Sequence, residues 1–430
     1  MKYCSRCLYP ENAKPTIIFD ENNICSGCRY AEARTRQDID WHQREEMLIR
    51  ILDGAKEEAR ARNNIHDCMI PVGGGKDSSF QVWLMTRKYR MNPLLVTFNH
   101  YYNSPAGIKN LKNLVEKSGC DIVRYTMNAK AVKKISLYML KTVGDLTWHY
   151  HAGIKTFPIQ EAVRRNIPLI IWGEHGFAEL TGLVTLEDFV EFTKWSRKEH
   201  DMRGIEADQL VGKNGITWQD VSPFIYPSDD DIESLDLRGI YLSNFIQWNA
   251  RDQTQKIIEE WGFHTVTYDR ARTFNLHAKL DDHANDIHDY LKYLKFGYGR
   301  ATDDASNEIR NGRMTRETGI EMVKRYDAAE PPSLKAYCDF LGISPQKFYD
   351  IVEPMRDLSI WEKTAGGVWK TKTSVALAPF TEKEEAARLP GAREKIFDPE
   401  NRNLYYNLDN PPQKTGDIDL DRESPAFVPM

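Results

Sequence analysis

The chain has 430 residues, of which 41% are hydrophobic and 28% charged, with a formal net charge of −5. That length predicts about three domains with room for a core, and the acidic balance gives no global basic footprint for a nucleic-acid partner. No apolar run approaches the roughly 20 residues of a membrane helix, and the start Met1-Lys2-Tyr3-Cys4 has no apolar signal region, so no membrane partner is expected and a cytoplasmic location is.

The first element is a pair of knuckles, Cys4-Ser5-Arg6-Cys7 and Cys25-Ser26-Gly27-Cys28. Four thiolates at this spacing suit a tetrahedral ion and close its coordination sphere, so a structural Zn2+ in a ribbon over residues 1–32 is expected. A redox or sulfur-relay pair is the alternative, since one Cys-x-x-Cys can serve that chemistry. So short a module needs a staple to fold. Cys68, Cys120 and Cys338 stand beside apolar residues and read as core. A charge-rich helical linker over 33–64 follows, with Glu45, Glu46, Glu57, Glu58, Arg60 and Arg62 on a solvated face.

The apolar run Cys68-Met69-Ile70-Pro71-Val72 leads into Gly73-Gly74-Gly75-Lys76-Asp77-Ser78-Ser79 and then a helical pattern. A strand, a glycine turn and a helix start thus meet at one point. Glycines let the backbone approach a ligand closely, and the free N–H groups of a helix start favour an anion. Lys76 adds a full charge, and Ser78 and Ser79 add hydroxyls. The Walker pattern fails because Asp77 follows the lysine, and the dinucleotide fingerprint lacks its third glycine. The segment resembles the Ser-Gly-Gly-x-Asp-Ser loop of the PP-loop ATP pyrophosphatases, matching at Gly74, Gly75, Asp77 and Ser78, with Gly73 in place of the first serine.

Strand-like runs at 68–72, 94–98, 121–126 and 168–172 alternate with helical stretches near 79–90, 106–118, 129–143 and 156–166. This alternation predicts right-handed βαβ units, an α/β fold with a mostly parallel sheet and helices on both faces, over residues 65–275. Ligands of such sheets lie beyond the carboxyl ends of the strands, which points to Gly73 onward, Asn99-His100 and Gly173-Glu174-His175-Gly176. Residues 178–245 show no clear period. Tyr226-Pro227-Ser228-Asp229-Asp230-Asp231 reads as a loop whose acids form a solvated turn, with metal binding the lesser reading. Residues 265–269 read as a further strand. A polar-aromatic helical region over 276–365 and an extended or partly disordered tail over 366–430 complete the chain.

The stretch from His283 to Asp303, containing Lys295-Phe296-Gly297-Tyr298-Gly299-Arg300, precedes Arg310, Gly312, Arg313, Arg316 and Glu317. With the loop, the ribbon and Trp172-Gly173-Glu174, it resembles the N-acetyl sugar amidotransferases, cytoplasmic PP-loop enzymes of bacterial lipopolysaccharide, O-antigen and nonulosonic-acid pathways. The resemblance runs from the ribbon to about residue 360. It implies a PP-loop (adenine nucleotide alpha hydrolase-like) fold and a reaction in which ATP adenylates the acetamido oxygen of a nucleotide sugar or nonulosonic acid. Ammonia then displaces AMP to leave an acetamidino group.

That chemistry gives the residues roles. Backbone N–H groups of Gly73, Gly74, Gly75 and Lys76, with the Ser78 and Ser79 hydroxyls, would hold the phosphates. Asp77 is assigned to Mg2+, with helix capping as the alternative. Glu174, Gly173 and Asn99 would contact ATP, or Glu174 would receive a proton from ammonia. Lys295 and Arg300 would balance the charge of the sugar or the α-phosphate, although a solvated basic face also fits. His149 and His151 read as sugar contacts or as satisfied core histidines. Residue 2 is lysine, and none of the spare cysteines sits in a nucleophile turn, so no glutaminase is visible. The resemblance then implies ammonia from a separate glutaminase chain, with a cyclase-like ammonia-channelling chain. The rival readings are a tRNA-modifying enzyme of the thiolation type and a non-catalytic ATP-binding sensor.

Overall fold

Each apolar run forms a strand whose side chains alternate between two cores, one on either face of a single sheet. The computed structural model describes residues 1–35, 39–266 and 270–377. Strands β1 (Cys68–Pro71), β2 (Pro93–Asn99), β3 (Ile122–Thr126), β4 (Leu169–Trp172) and β5 (Arg238–Tyr241) are all parallel, in the order β3-β2-β1-β4-β5. Cys68, Ile70, Leu95, Ile171 and Ile240 face one core with Phe80 and Ile257. Met69, Val96, Phe98, Ile170 and Trp172 face the other with Ile135, Trp148 and Ala152. β1, β2 and β4, covered on both faces, read as continuous apolar runs, and the half-buried edge strand β3 shows through Ile122, Val123 and Tyr125. β5 was missed because only four residues pair, at the sheet edge, and one of them is Gly239.

Because β2 and β4 flank β1, the chain leaves the centre of the sheet in two directions. A crevice opens where the connections diverge, beyond the carboxyl ends of β1 and β4. Helix α1 (Ser26–Thr35) belongs to the ribbon, and α2 (Trp41–Ala61) buries Leu48, Leu52, Ala55 and Ala59 as one stripe. Helix α3 (Lys76–Trp83) starts at the glycine loop, and α4 (Pro105–Ser118) and α5 (Ala129–Val143) lie where the periodicity predicts. Helix α6 (Trp148–Arg165) begins well before residue 156 and continues through Pro158. Its extra turns carry His149, Tyr150 and His151. After β4 comes the short α7 (Gly176–Thr181).

One reading needs correction. The acidic stretch after Tyr226 is not a loop throughout: Ser228 and Asp231 form a capping box, and a helix runs over Asp229–Leu235. Three carboxylates in its first turn favour the positive end of the helix dipole, so the cluster has a structural cause. The strand read at 265–269 lies partly outside the described residues, and the tail beyond 377 lies wholly outside them. Within the described part, β6 (Trp361–Lys363) and β7 (Trp369–Thr371) pair as an antiparallel hairpin.

In the ribbon, the sulfurs of Cys4, Cys7, Cys25 and Cys28 all lie within 4.8 Å of one another and are buried. Cys4 and Cys28 Sγ are 3.8 Å apart, and Cys7 and Cys25 Sγ are 3.6 Å apart. A tetrahedron with metal–sulfur bonds of about 2.3 Å has edges of about 3.8 Å, so the four thiols fit one ion. Backbone N–H groups of Arg6 and Cys25 point at Cys4 Sγ, at 3.4 and 3.3 Å. Helices Ala284–Phe296, Arg300–Arg310 and Arg316–Tyr326 carry the surface that receives the ribbon. Arg310 donates through Nη2 to Cys7 and Cys25 Sγ, at 3.7 and 3.4 Å, and through Nη1 to the carbonyls of Glu179 and Leu180. Arg316 donates to the carbonyls of Cys7 and Cys4.

If the ion staples this docked module, Cys25→Ser will lose bound metal by elemental analysis and lower Tm. An unchanged Tm in the metal-free variant would show that the ribbon stands without its ion.

Candidate active site

At the crevice, Gly75 caps α3 in an extended conformation (φ −88°, ψ 164°) without a side-chain cap, leaving the first N–H groups of the helix for a ligand. Ser78 and Ser79 donate their hydroxyls to the Gly75 carbonyl at 3.2 and 3.0 Å, and Ser78 Oγ also accepts from the Gly73 N–H at 3.4 Å. The serines thus brace the loop. Lys76 is buried and pairs with Asp77 at 2.5 Å. Burial works against its charge, but the Asp77 and Glu174 carboxylates outweigh it and hold the ammonium above its ordinary value.

The loop is pinned from outside. A Cβ on Gly74 would overlap the Gly107 backbone at the start of α4, and one on Gly107 would overlap the Asp281 backbone. At Gly73 the position of a Cβ lies 3.1 Å from Asp281 Oδ2. The room that the serine of the PP-loop motif would need is therefore held by a carboxylate from a distant segment.

The cleft measures about 370 Å³ and is lined by Gly73, Gly75, Lys76, Asp77 and Ser78 on one side and by Trp172, Gly173 and Glu174 on the other. Glu174 is pushed up to about 8, first by burial and then by Asp77. Helix α6 contributes Tyr150, His151, Ile154 and Lys155, with Lys155 Nζ 4.4 Å from the centre of the Trp172 ring.

Several expected residues stand apart from the lining. Gly74 and Ser79 serve the loop from behind. Asn99 Oδ1 accepts from the Tyr101 N–H and from Asn103, and its Nδ2 donates to Thr126, so its side chain serves the turn after β2. Lys295 does not reach the cleft: it donates to the Val143 and Gly144 carbonyls and caps α5, and burial lowers it to about 8. Arg300 does not reach it either, being held by Asp289 at 2.9 Å and Asp303 at 3.4 Å. Its connection to the cleft is indirect, through Asp289, which also pairs with the lining residue Lys279 at 3.5 Å. The polarity of the Lys295–Arg300 block comes from buried pairing and ribbon docking: Tyr9 donates to Asp303, and the Tyr298 hydroxyl accepts from the Lys14 N–H. His149 is buried beside Ser136, at 3.1 Å, away from the lining.

His100, Lys279, Asp281 and Tyr150 also line the cleft. The rule about strand ends already pointed to His100, whereas Lys279 and Asp281 carried no local signal. His151, His288 and Asp145 cluster closely enough to hold a cation. The Thr147 hydroxyl, however, lies 2.8 Å from Asp145 Oδ1, 2.8 Å from His288 Nδ1 and 3.5 Å from His151 Nδ1, so it fills the centre as a hydrogen-bond hub.

Residues 263–375 match the family model described as the C-terminal domain of WbpG-like lipopolysaccharide biosynthesis proteins. They form a WbpG-like domain. An uncharacterized protein of Methanocaldococcus jannaschii is 24% identical over 120 residues, which make up 28% of this chain and 41% of that protein. The chain thus spans about two fifths of its relative's length. Among solved structures, an NH3-dependent NAD synthetase from Campylobacter jejuni aligns at 13% identity, covering 51% of this chain and 94% of its own, with a TM-score of 0.25. The U34-tRNA thiolase NcsA from Methanococcus maripaludis, solved with its [4Fe-4S] cluster, aligns at 12% identity, 45% and 65% coverage and a TM-score of 0.22. Scores so low carry no argument; the order and direction of the strands carry the fold.

Gly74→Ala should abolish nucleotide binding in calorimetry, because its Cβ would displace the loop from α4; wild-type affinity would show that the loop can move. Glu174 gives a pH test. From its ordinary 4.5 to about 8 the folded protein keeps a proton that the unfolded chain sheds, so this group costs stability as pH rises through that window. The Tm advantage of Glu174→Gln over wild type should be absent at the acid end, open as pH rises and level off above about 8. Parallel Tm curves would mean that Glu174 is not held protonated.

Proposed function

We propose that this chain, WbpG-like over residues 263–375, is an ATP-dependent amidotransferase of lipopolysaccharide or O-antigen biosynthesis that converts an acetamido group of a sugar into an acetamidino group. One observation carries the reading. A single cleft at the carboxyl edge of the sheet holds Gly73, Gly75, Lys76, Asp77 and Ser78 of a PP-type loop, with the buried Glu174 facing them.

An amide oxygen is a poor leaving group and must first be activated. Attack of that oxygen on the α-phosphorus of ATP expels pyrophosphate and leaves an O-adenylyl imidate, which ammonia converts to the amidine with loss of AMP. Fixed donors help most where charge develops, so the α3 N–H groups and Lys76 are assigned to the departing pyrophosphate. Asp77 pairs with Lys76 through Oδ1, and its side chain is 37% exposed, which leaves it able to hold Mg2+ as well. That ion would neutralise phosphate charge. Glu174, pushed up to about 8 by burial, is assigned in its ionised form to the proton that ammonia sheds. Zinc is the ion proposed for the four ribbon thiols. The substrate is a nucleotide sugar or nonulosonic acid, and the setting is cytoplasmic. Ammonia is proposed to come from a separate glutaminase chain through a cyclase-like channelling chain.

Incubation with ATP, an ammonium salt and a panel of acetamido sugars should release pyrophosphate only when the right sugar is present. Mass spectrometry should then show oxygen replaced by an NH group. Asp77→Asn should lose pyrophosphate release with its circular dichroism unchanged. Tight, salt-sensitive tRNA binding without sugar turnover would overturn the reading. Glutamine-dependent turnover that is equal with and without added glutaminase and channelling chains would overturn the partner proposal.

A further inference from the structure

Two protons have to be accepted during this reaction. As the amide oxygen bonds to the α-phosphorus and the bond to pyrophosphate breaks, the amide N–H electron pair becomes the C=N bond and its proton leaves. When ammonia adds to carbon, that nitrogen takes a proton back, the ammonia nitrogen sheds one, and the C–O bond to AMP breaks. The amidinium product and one net proton remain. Glu174 is assigned to the second acceptance. We propose that His100, fixed by Asp282, accepts the amide N–H proton in the first and returns it in the second, an assignment that rests on the amidotransferase reading.

The geometry is specific. His100 directly follows β2, Glu174 follows β4 and the glycine loop follows β1 between them, so sheet order sets the two acceptors on opposite sides of the loop. His100 lines the cleft, and its Nδ1 is bound to the buried Asp282 carboxylate. A carboxylate on Nδ1 fixes the ring's tautomer and orientation and stabilises the imidazolium that forms, leaving Nε2 as the acceptor. The Tyr150 ring meets the imidazole edge to face, with centroids 4.6 Å apart, and restricts it further.

Other lining groups are less suited. Lys76 is paired with Asp77 and held as a cation, whereas Lys279, lowered by burial and by the Arg300 guanidinium, is committed to Asp289 at 3.5 Å. The charged and titratable groups around His100 are Asp281 and Asp282 on one segment, Arg124 on β3, and His149 and Tyr150 on α6. Burial disfavours the charged ring and Arg124 opposes it, but Asp282 and Asp281 outweigh both and raise His100 above its ordinary value. His149, held down to about 4 by burial, stays neutral and is no competitor.

The experiment is sugar-dependent pyrophosphate release at saturating ATP and ammonium, measured across pH for wild type, His100→Gln and Asp282→Asn, with ATP affinity and Tm recorded for each. Wild-type kcat should fall on the acid side as His100 becomes protonated. His100→Gln should lower kcat about 10²- to 10⁴-fold with ATP affinity retained, and should remove the acid limb. Asp282→Asn keeps the ring and should shift that limb to lower pH. Wild-type turnover with an unchanged kcat in His100→Gln, or a wild-type kcat flat through the histidine range, sinks this assignment alone. Wild-type protein that releases no sugar-dependent pyrophosphate sinks the amidotransferase reading and this assignment together.

Discussion

Three stretches of backbone meet behind the glycine loop with no room for a side chain between them. Gly74 rests on Gly107, and Gly107 rests on Asp281. Backbones approach this closely only where Cβ atoms are absent, so the two glycines fix the separation of the loop, α4 and the segment before the helix Ala284–Phe296. From that contact follow the position of the Asp281 carboxylate beside Gly73, the entry of Lys279 into the cleft lining and the pairing of Asp282 with His100. The cleft is thus built jointly by the sheet and by the start of the WbpG-like domain.

A second link runs from the ribbon to the opposite wall. Arg310 touches two ribbon sulfurs and, on its other edge, two carbonyls of α7. Arg34 of α1 pairs with Glu179 of α7 at 2.6 Å, and Ser26 donates to the Thr181 carbonyl. Helix α7 begins two residues after Glu174, so the ribbon buttresses the loop that carries this buried carboxyl. A cation beside thiolates offsets their charge, while each carbonyl it reaches is spared an unpaired burial. The ribbon is therefore a structural support for the cleft, with none of its residues in the lining.

Much of this was legible locally. The Cys-x-x-Cys knuckles, the glycine turn between strand and helix, and the alternation of apolar runs with helical periods are each written within a few residues, and the structure assembles them as read. Where reading failed, the signal was short or ambiguous. β5 is four residues long, and the start of α6 is masked by Pro158 and by a run of histidine and tyrosine. The block from Lys295 to Arg300 lies within the stretch that matches the WbpG-like model, but as a ligand site it departs from the structure for a different reason. Basic, acidic and aromatic side chains so dense resemble a ligand site, but a buried ion-pair network has the same composition. Asp289, Asp303 and Asp304 hold Arg300 in that network, outside the cleft lining.

By itself the sequence determined the chemistry of the cradle, the four-cysteine set of the ribbon and the parallel architecture, because each depends on residues adjacent in the chain. Tertiary structure alone decided which polar groups meet the cradle. The pairs that matter, Gly73 with Asp281, His100 with Asp282 and Lys279 with Asp289, are set by how the segment before the helix Ala284–Phe296 packs on α4. The first and second bridge distant parts of the chain, while Lys279 with Asp289 joins that segment to the helix it precedes. Periodicity specifies which face of an element is apolar; the choice of facing partner comes from close packing between elements.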